Sequence, residues 1–181
     1  MTNIERIQQA SQKFKTLFTG LMVVIPIAAL LLWLGYNQLP DGLRAQLCAG
    51  LLVQPAGSLS LSSRLLACLA TLLPVAVAML GCLYLIRLFG LYQQGRIFSG
   101  DTTRCYRSLG YVIIASVVIG IVHNSMMSVI VTLDNPPGQR LLSVGFSSAD
   151  FSRIVIGLLV LVVAWVMDLG RELHEEQQLT V

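Results

Sequence analysis

The uncharged stretch S-L-G-Y-V-I-I-A-S-V-V-I-G-I-V-H-N-S-M-M-S-V-I-V-T-L, residues 108–133, decides the fold class of this chain. It runs for 26 residues without an Asp, Glu, Lys or Arg. About 20 apolar residues are enough for a helix to cross the roughly 30 Å of hydrocarbon in a bilayer. Two further uncharged runs cover residues 16–40 and 65–86. The sequence therefore predicts three membrane-spanning helices from these runs alone.

A fourth span is predicted over residues 151–169. Its uncharged core, residues 154–167, has only 14 residues, so Arg153 and Asp168 must lie at the two membrane interfaces. A long arginine side chain can extend its charge to the headgroups. Arg171, one turn after Asp168, is the expected partner of that carboxylate. We therefore expect spans at approximately residues 17–36, 65–86, 109–133 and 151–169.

The composition indicates an all-α polytopic membrane protein, a four-transmembrane-helix bundle that forms one integral membrane domain over residues 1–181. Charged residues make up 12% of the chain, half the share of about 25% in soluble globular proteins, which excludes an ordinary water-soluble domain. Small or polar residues make the seams between membrane helices, and stripes of them are expected to face inward. These are Ala70, Pro74, Ala78 and Cys82, then Ser116, Gly120, Asn124 and Ser128, then Gly157, Ala164 and Asp168.

The distribution of Lys and Arg predicts the orientation of the chain. If the first helix enters from the cytoplasm, eight of these residues lie on the cytoplasmic side and four on the other. Positive residues favour the cytoplasmic side, so both termini are predicted to be cytoplasmic. Residues 1–15 are predicted to form an amphipathic helix that lies along the inner membrane surface and runs into the first span.

His123 is the residue within a span that points most strongly to chemistry. Ionisable groups inside membranes are costly and are functional candidates by default, and Asn124, Ser128 and Asp168 complete the set of intramembrane polar candidates. Judged by depth in the second span, Thr71 and the Ala70 carbonyl group, which Pro74 leaves without its helical donor, are the two candidate partners of His123. Two interpretations stay open: a proton-sensitive or ligand-binding histidine, and a neutral histidine that only hydrogen-bonds to a hydroxyl or carbonyl group.

Motifs for catalysis, metal binding or phosphate binding are absent from the sequence. It contains no G-x-S-x-G, H-E-x-x-H or Walker loop and no C-x-x-C pair. We therefore expect no enzyme activity, no metal and no cofactor.

The predicted cytoplasmic loop and tail carry the remaining candidates. Residues 87–107 contain four arginines and one aspartate, with aromatic residues between them. At the inner face of a membrane this composition favours contact with anionic lipid headgroups, and we expect no direct nucleic-acid binding. The tail is acidic. The candidate face for a partner or for lipid consists of Arg96, Phe98, Arg104, Arg107, Glu175 and Glu176.

Three short segments carry a family resemblance. They are L-Y-Q-Q-G-R-I-F-S at residues 91–99, G-F-S-S-A-D at residues 145–150 and L-x-E-E-x-x-L-T-V at residues 173–181. Together they resemble a bacterial inner-membrane family of four-helix proteins of unknown function, with G-[KR]-I-F and E-E-x-x-L-T-V as its specific elements. The resemblance covers about residues 15–181. It implies a four-span protein of the bacterial inner membrane, often encoded beside a small helix-turn-helix regulator, and it implies no catalytic residues.

Two functional hypotheses follow. The first is a non-enzymatic membrane accessory or sensor protein whose cytoplasmic face engages a protein partner, such as that regulator. The second is a small transporter or channel subunit that uses the inter-helix seam around His123. An intramembrane enzyme ranks third, because no converging catalytic set is visible. The lipid bilayer is the expected environment, and a homo-oligomer is left open.

Overall fold

Helices account for almost all of the regular structure. A computed structural model of the chain describes residues 3–48, 58–96, 99–136 and 140–179, with side chains from residue 8 to residue 172 of these ranges. The helices are α1 (Asn3–Leu34), α2 (Asp41–Cys48), α3 (Leu61–Gln93), α4 (Gly100–Thr132) and α5 (Ser148–Leu179), with a 3-10 turn at Tyr36–Gln38. These ranges contain no strand. The predicted all-α membrane bundle is confirmed.

Four of these helices are long and apolar enough to cross a membrane. The qualifying segments are Gln8–Leu34, Leu61–Gln93, Gly100–Thr132 and Ser148–Glu172. Large apolar side chains such as Leu31, Leu69 and Trp165 point away from the bundle and are exposed. An all-round apolar helix surface is compatible with lipid and not with water, so the chain is a multi-pass membrane protein.

The long helices pack in the order in which they follow one another along the chain. α1 packs against α3, α3 against α4 and α4 against α5, whereas the other helix pairs in the described ranges touch only slightly. Each of these three pairs is antiparallel. The described residues 35–48, 58–60, 133–136 and 140–147 therefore lie at one end of the bundle, here called the loop end. The turn that begins at residues 94–96, the start of α1 and the end of α5 lie at the other, the terminal end.

Serine side chains begin the helices where the sequence indicates caps. Ser99 Oγ accepts a hydrogen bond from the Thr102 backbone N–H at 3.4 Å and starts α4. Before α5, the Ser147 N–H donates to Asp150 Oδ2 at 2.9 Å, and the Asp150 N–H donates back to Ser147 Oγ at 3.3 Å. This reciprocal pair is a capping box, and Ser147 and Asp150 have the S-x-x-D spacing typical of it.

The predicted surface helix at the N-terminus is wrong over the residues whose side chains are described. α1 is one continuous helix, and it stays against α3 instead of turning along the membrane. The Gln8 side chain donates to the Gln93 carbonyl oxygen at 3.1 Å. The Phe14 ring stacks on Phe89 with 5.2 Å between centroids. These contacts hold the first turns of α1 to the last turns of α3.

Two glycines set the close approach of α4 and α5. A methyl group placed on Gly157 would lie 2.7 Å from Ile114 Cγ1 and 3.2 Å from the Gly110 carbonyl oxygen. Gly157 belongs to a predicted seam, and the structure confirms that role. Gly110 was not predicted, because the stripe identified on α4 began at Ser116 and followed a different face of the helix.

Candidate functional site

Arg96, one of the predicted binding residues, makes its contacts within the turn between α3 and α4. Arg96 Nη2 lies 2.9 Å from Asp101 Oδ2, and the Thr102 hydroxyl donates to the Arg96 carbonyl oxygen at 2.8 Å. Gly95, at φ 73°, supplies the left-handed residue that this reversal needs. Arg96 therefore stabilises its own turn. Phe98 lies outside the described residues.

Asp168 links α4 to α5 at the terminal end. Its carboxylate accepts from Arg171 at 3.4 Å, as expected from their spacing, and from Arg107 at 3.3 Å. The Arg107 contact was not predicted, because it joins residues on different helices. Asp168 thus lies among arginines at the end of the bundle rather than beside His123. The exposed half of the Arg107 side chain stays open to a partner or a headgroup.

Arg104 is the predicted terminal-end residue that is left most available. It is exposed on α4, and among the described residues no carboxylate lies within ion-pair distance of it. Glu175 and Glu176 lie on the last turns of α5, and their side chains are outside the described set. Because Asp168 is level with the first turns of α4, the backbone of these two glutamates is close to the height of the 94–99 turn.

Three of the aromatic residues between the arginines are half-buried and contact neighbouring helices. Phe89 stacks on Phe14 and Phe18 with centroids 5.2 and 5.9 Å apart. The hydroxyl groups of Tyr92 and Tyr106 hydrogen-bond to each other between α3 and α4. These rings join α1, α3 and α4 at the terminal end, while Phe98 is the one aromatic of the predicted loop set left undescribed.

His123 contacts Thr71, one of its two candidate partners. Its Nε2 lies 3.4 Å from Thr71 Oγ1 across the α3–α4 interface. The Thr71 hydroxyl donates its proton to the Ala67 carbonyl oxygen at 2.8 Å, so its oxygen is left to accept. His123 therefore donates through Nε2, as a neutral imidazole can. Asn124, the next residue, is half-buried.

Ser128 anchors a loop and does not share a seam with His123. It is 1% exposed, its hydroxyl donates to the Ser125 carbonyl oxygen at 2.8 Å, and its oxygen accepts from the Ser143 N–H at 3.0 Å. His123 instead faces α3. The polar set predicted to form one transport seam is therefore divided between two surfaces of α4.

An apolar groove separates parts of α3 and α4 that were expected to pack directly. Its volume is about 360 Å³. Its lining includes three members of the α3 stripe, and Ser116 is its one hydroxyl-bearing residue, with that hydroxyl bound to the Ile113 carbonyl oxygen at 2.6 Å. The lining residues are Pro74, Val77, Ala78, Gly81, Cys82, Leu85, Leu109, Val112, Ile113, Ser116 and Ile119. Such a groove offers no polar path for an ion.

A buried cluster closes the loop end. Trp33 stacks on Tyr36 with 5.8 Å between centroids, and Tyr36 Oη lies 3.8 Å from Cys48 Sγ. Burial, together with this contact, raises the pKa of Tyr36 to about 12. Burial also raises the pKa of the Cys48 thiol. Arg44 Nε donates to the Tyr36 carbonyl oxygen at 3.1 Å. The sequence does not indicate this cluster, because Cys48 comes from α2, a separate helix that only the fold brings against Tyr36.

The arrangement contains no visible metal centre within the described ranges, where no three His, Cys, Asp or Glu side chains converge. Comparison with known proteins gives a family. Residues 26–181, most of the chain, match the family described as "Protein of unknown function (DUF2975)". No curated protein and no solved structure matches the chain. The match begins within α1 and takes in all the later helices, so this chain belongs to the DUF2975 family of proteins of unknown function.

Proposed function

We propose that this protein is a non-enzymatic accessory or sensor protein of the bacterial inner membrane, and that its terminal end lies in the cytoplasm and engages a protein partner. The orientation rests on charge. Eight of the twelve Lys and Arg residues are near the terminal end, and short cytoplasmic segments are enriched in these residues. A helix-turn-helix regulator is the candidate partner that the family resemblance implies.

The projection of α5 carries this proposal. Asp168 pairs with Arg107 near the start of α4, yet α5 continues to Leu179. Those eleven further residues extend about 16 Å at 1.5 Å per residue. They pass the height of the turn after α3 at about Glu175 and Glu176, so only the last residues of α5 project beyond the bundle. This helix end offers a partner a preformed surface that costs little conformational entropy to bind.

The chemistry around this projection favours a protein over a purely lipidic contact. Glu172, Glu175 and Glu176 make the projecting turns acidic, and anionic headgroups repel acidic segments. Arg104 and the exposed half of Arg107 lie in the first turns of α4, at the same end of the bundle. A partner with adjoining basic and acidic patches matches this surface, and such complementarity sets specificity and the rate of association.

Co-purification after crosslinking in cells tests the proposal. The charge-reversal variant is Arg104→Glu, because Arg104 has no ion-pair partner in the described structure, whereas Arg96→Glu also breaks the turn. The matched control is Arg140→Glu, an exposed arginine at the loop end. We expect a specific soluble partner with the unmodified chain and with Arg140→Glu, and its loss with Arg104→Glu.

Two results contradict the proposal. One is recovery of the same partner with Arg104→Glu at an unchanged level. The other is that stable, membrane-inserted protein captures no soluble partner, even when the acidic turns are crosslinked directly through a photoreactive residue at Glu172.

A further inference from the structure

α5 is displaced along the bundle axis relative to α3 and α4. Gly157 lies between the heights of Gly110 and Ile114, as the contacts of 3.2 Å and 2.7 Å around it require. α4 continues for roughly 27–33 Å from that crossing to Thr132, whereas α5 begins only about 14 Å above Gly157. The loop-end start of α5 is therefore roughly 15 Å deeper than the loop-end terminus of α4.

The other helices are level with one another at the loop end. The Ser60 backbone N–H, just before α3, donates to Asp134 Oδ2, just after α4, at 2.8 Å. Arg64 in the first turn of α3 donates to the Leu34 carbonyl oxygen at the end of α1 at 2.7 Å. The displacement is thus a property of the α5 edge alone.

An extended segment, residues 140–147, connects the loop-end terminus of α4 with the deeper start of α5. The Leu141 N–H donates to Thr132 Oγ1 at 3.4 Å, and the Ser143 N–H donates to Ser128 Oγ at 3.0 Å, so the chain descends along α4 before α5 starts. Four residues of this segment expose their apolar side chains: Leu141, Leu142, Val144 and Phe146. Within the described structure, the intervening N–H groups find no acceptor. Hydrocarbon cannot satisfy such backbone, so lipid-exposed extended chain does not persist in the membrane core.

A charged pair lies at the same depth. Arg153 Nη1 binds Asp150 Oδ1 at 2.8 Å, and half of the Arg153 side chain is exposed. The same guanidinium lies 3.7 Å from where a methyl group on Gly120 would be, and Gly120 is 12 residues, roughly 18 Å, from the loop end of α4. An exposed charge at that depth draws water and headgroups toward itself by thinning the bilayer locally.

The spacing of charges along α5 gives the thickness of the hydrocarbon core beside this helix. Arg153 and Asp168 are 15 residues apart, which is roughly 22 Å along a helix, against about 30 Å for an ordinary hydrocarbon core. Asp168 is already at the terminal end beside Arg107. The whole deficit of about 8 Å therefore falls on the loop-end leaflet.

We infer that the α5 edge of this protein thins the loop-end leaflet, and that the phosphate groups of phospholipids descend there to bind Arg153. The free part of the guanidinium can donate paired hydrogen bonds to a phosphate. The headgroup region and its water also satisfy the open N–H groups of Leu142, Val144, Gly145 and Phe146. This inference depends on the bundle crossing a bilayer and does not depend on the cytoplasmic partner proposed above.

Depth-dependent quenching of a thiol-attached fluorophore tests the inference. The full chain is reconstituted in phosphatidylcholine vesicles that carry a nitroxide either on the headgroup or near the end of an acyl chain. The probe is Phe151→Cys, and the control is Val118→Cys. These residues are 62% and 61% exposed and lie at nearly the same height on α5 and α4. The four native cysteines are buried, and the unmodified chain measures their background.

We expect the headgroup nitroxide to quench position 151 more than the acyl-chain nitroxide does, and the reverse ratio at position 118. Arg153→Leu should move the ratio at position 151 toward that of position 118. Stronger acyl-chain quenching at both positions overturns the thinning. Weak quenching by both lipids at position 151 overturns it in favour of a second protein surface there. An unchanged ratio in folded Arg153→Leu overturns the role of Arg153.

Discussion

Replacing Gly157 by alanine should separate α4 from α5. The added methyl group would lie 2.7 Å from Ile114 Cγ1 and 3.2 Å from the Gly110 carbonyl oxygen, whereas carbon atoms in contact are about 3.5–4.0 Å apart. The Ile114 side chain can rotate, but the Gly110 oxygen is backbone. The two helices must therefore move apart by several tenths of an ångström along their whole contact.

The expected cost follows from two opposing effects. Overpacking of a tight interface costs about 1–3 kcal/mol, and replacing a helical glycine by alanine gains up to about 1 kcal/mol of helix propensity. Gly170→Ala, on the same helix with no atom within 4 Å of its added methyl group, measures the second effect alone. We expect Gly157→Ala to be less stable than Gly170→Ala by about 1–3 kcal/mol.

Reversible unfolding in mixed detergent micelles measures this difference. Leu161→Ala combined with Gly110→Ala offers a further check, because a methyl group on Gly110 would lie 2.7 Å from Leu161 Cδ2. Removing the Leu161 side chain should restore part of the stability that Gly110→Ala alone loses. Equal stabilities for Gly157→Ala and Gly170→Ala would refute the close glycine crossing, and with it the register of α5 on α4.

Two further predictions concern the loop end. Asn37→Ala should lower stability by about 1–2 kcal/mol in the same unfolding assay, because its amide both donates to and accepts from the Leu59 backbone at 2.9 and 3.0 Å, whereas the exposed Gln38→Ala control should be neutral. The Ser60 N–H lowers the pKa of Asp134, so this contact stabilises the fold above the ordinary carboxyl pKa near 4 and is lost as the pH falls through the lower folded value. Asp134→Asn should make stability less dependent on pH below about pH 4; an undiminished acid dependence would show that another carboxyl group is responsible.

The candidate sites show where sequence reasoning succeeds. The Arg171–Asp168 pair and the Ser147–Asp150 box join residues three apart in one helix or at its start, so spacing alone predicts them. Thr71 was expected opposite His123, because two antiparallel spans joined by a short connection place residues of equal depth side by side. The Arg107–Asp168 ion pair and the close approach of Gly110 to Gly157 each join two helices. They depend on how each helix is rotated about its own axis, and the spacing of residues within one helix does not report that rotation.

The sequence by itself determined that the chain crosses a membrane, because an uncharged run of about 20 residues or more has no other stable environment. The fourth span followed from placing Arg153 and Asp168 at the two membrane interfaces. The sequence also determined the charge asymmetry between the two ends. Only the tertiary structure decided how far α5 is displaced along α4, because that register depends on which glycine meets which side chain across the interface. The same displacement places Arg153 at a depth that its position in the sequence does not reveal. A hydropathy profile records the length of each apolar run, and the heights of the runs relative to one another come only from their packing.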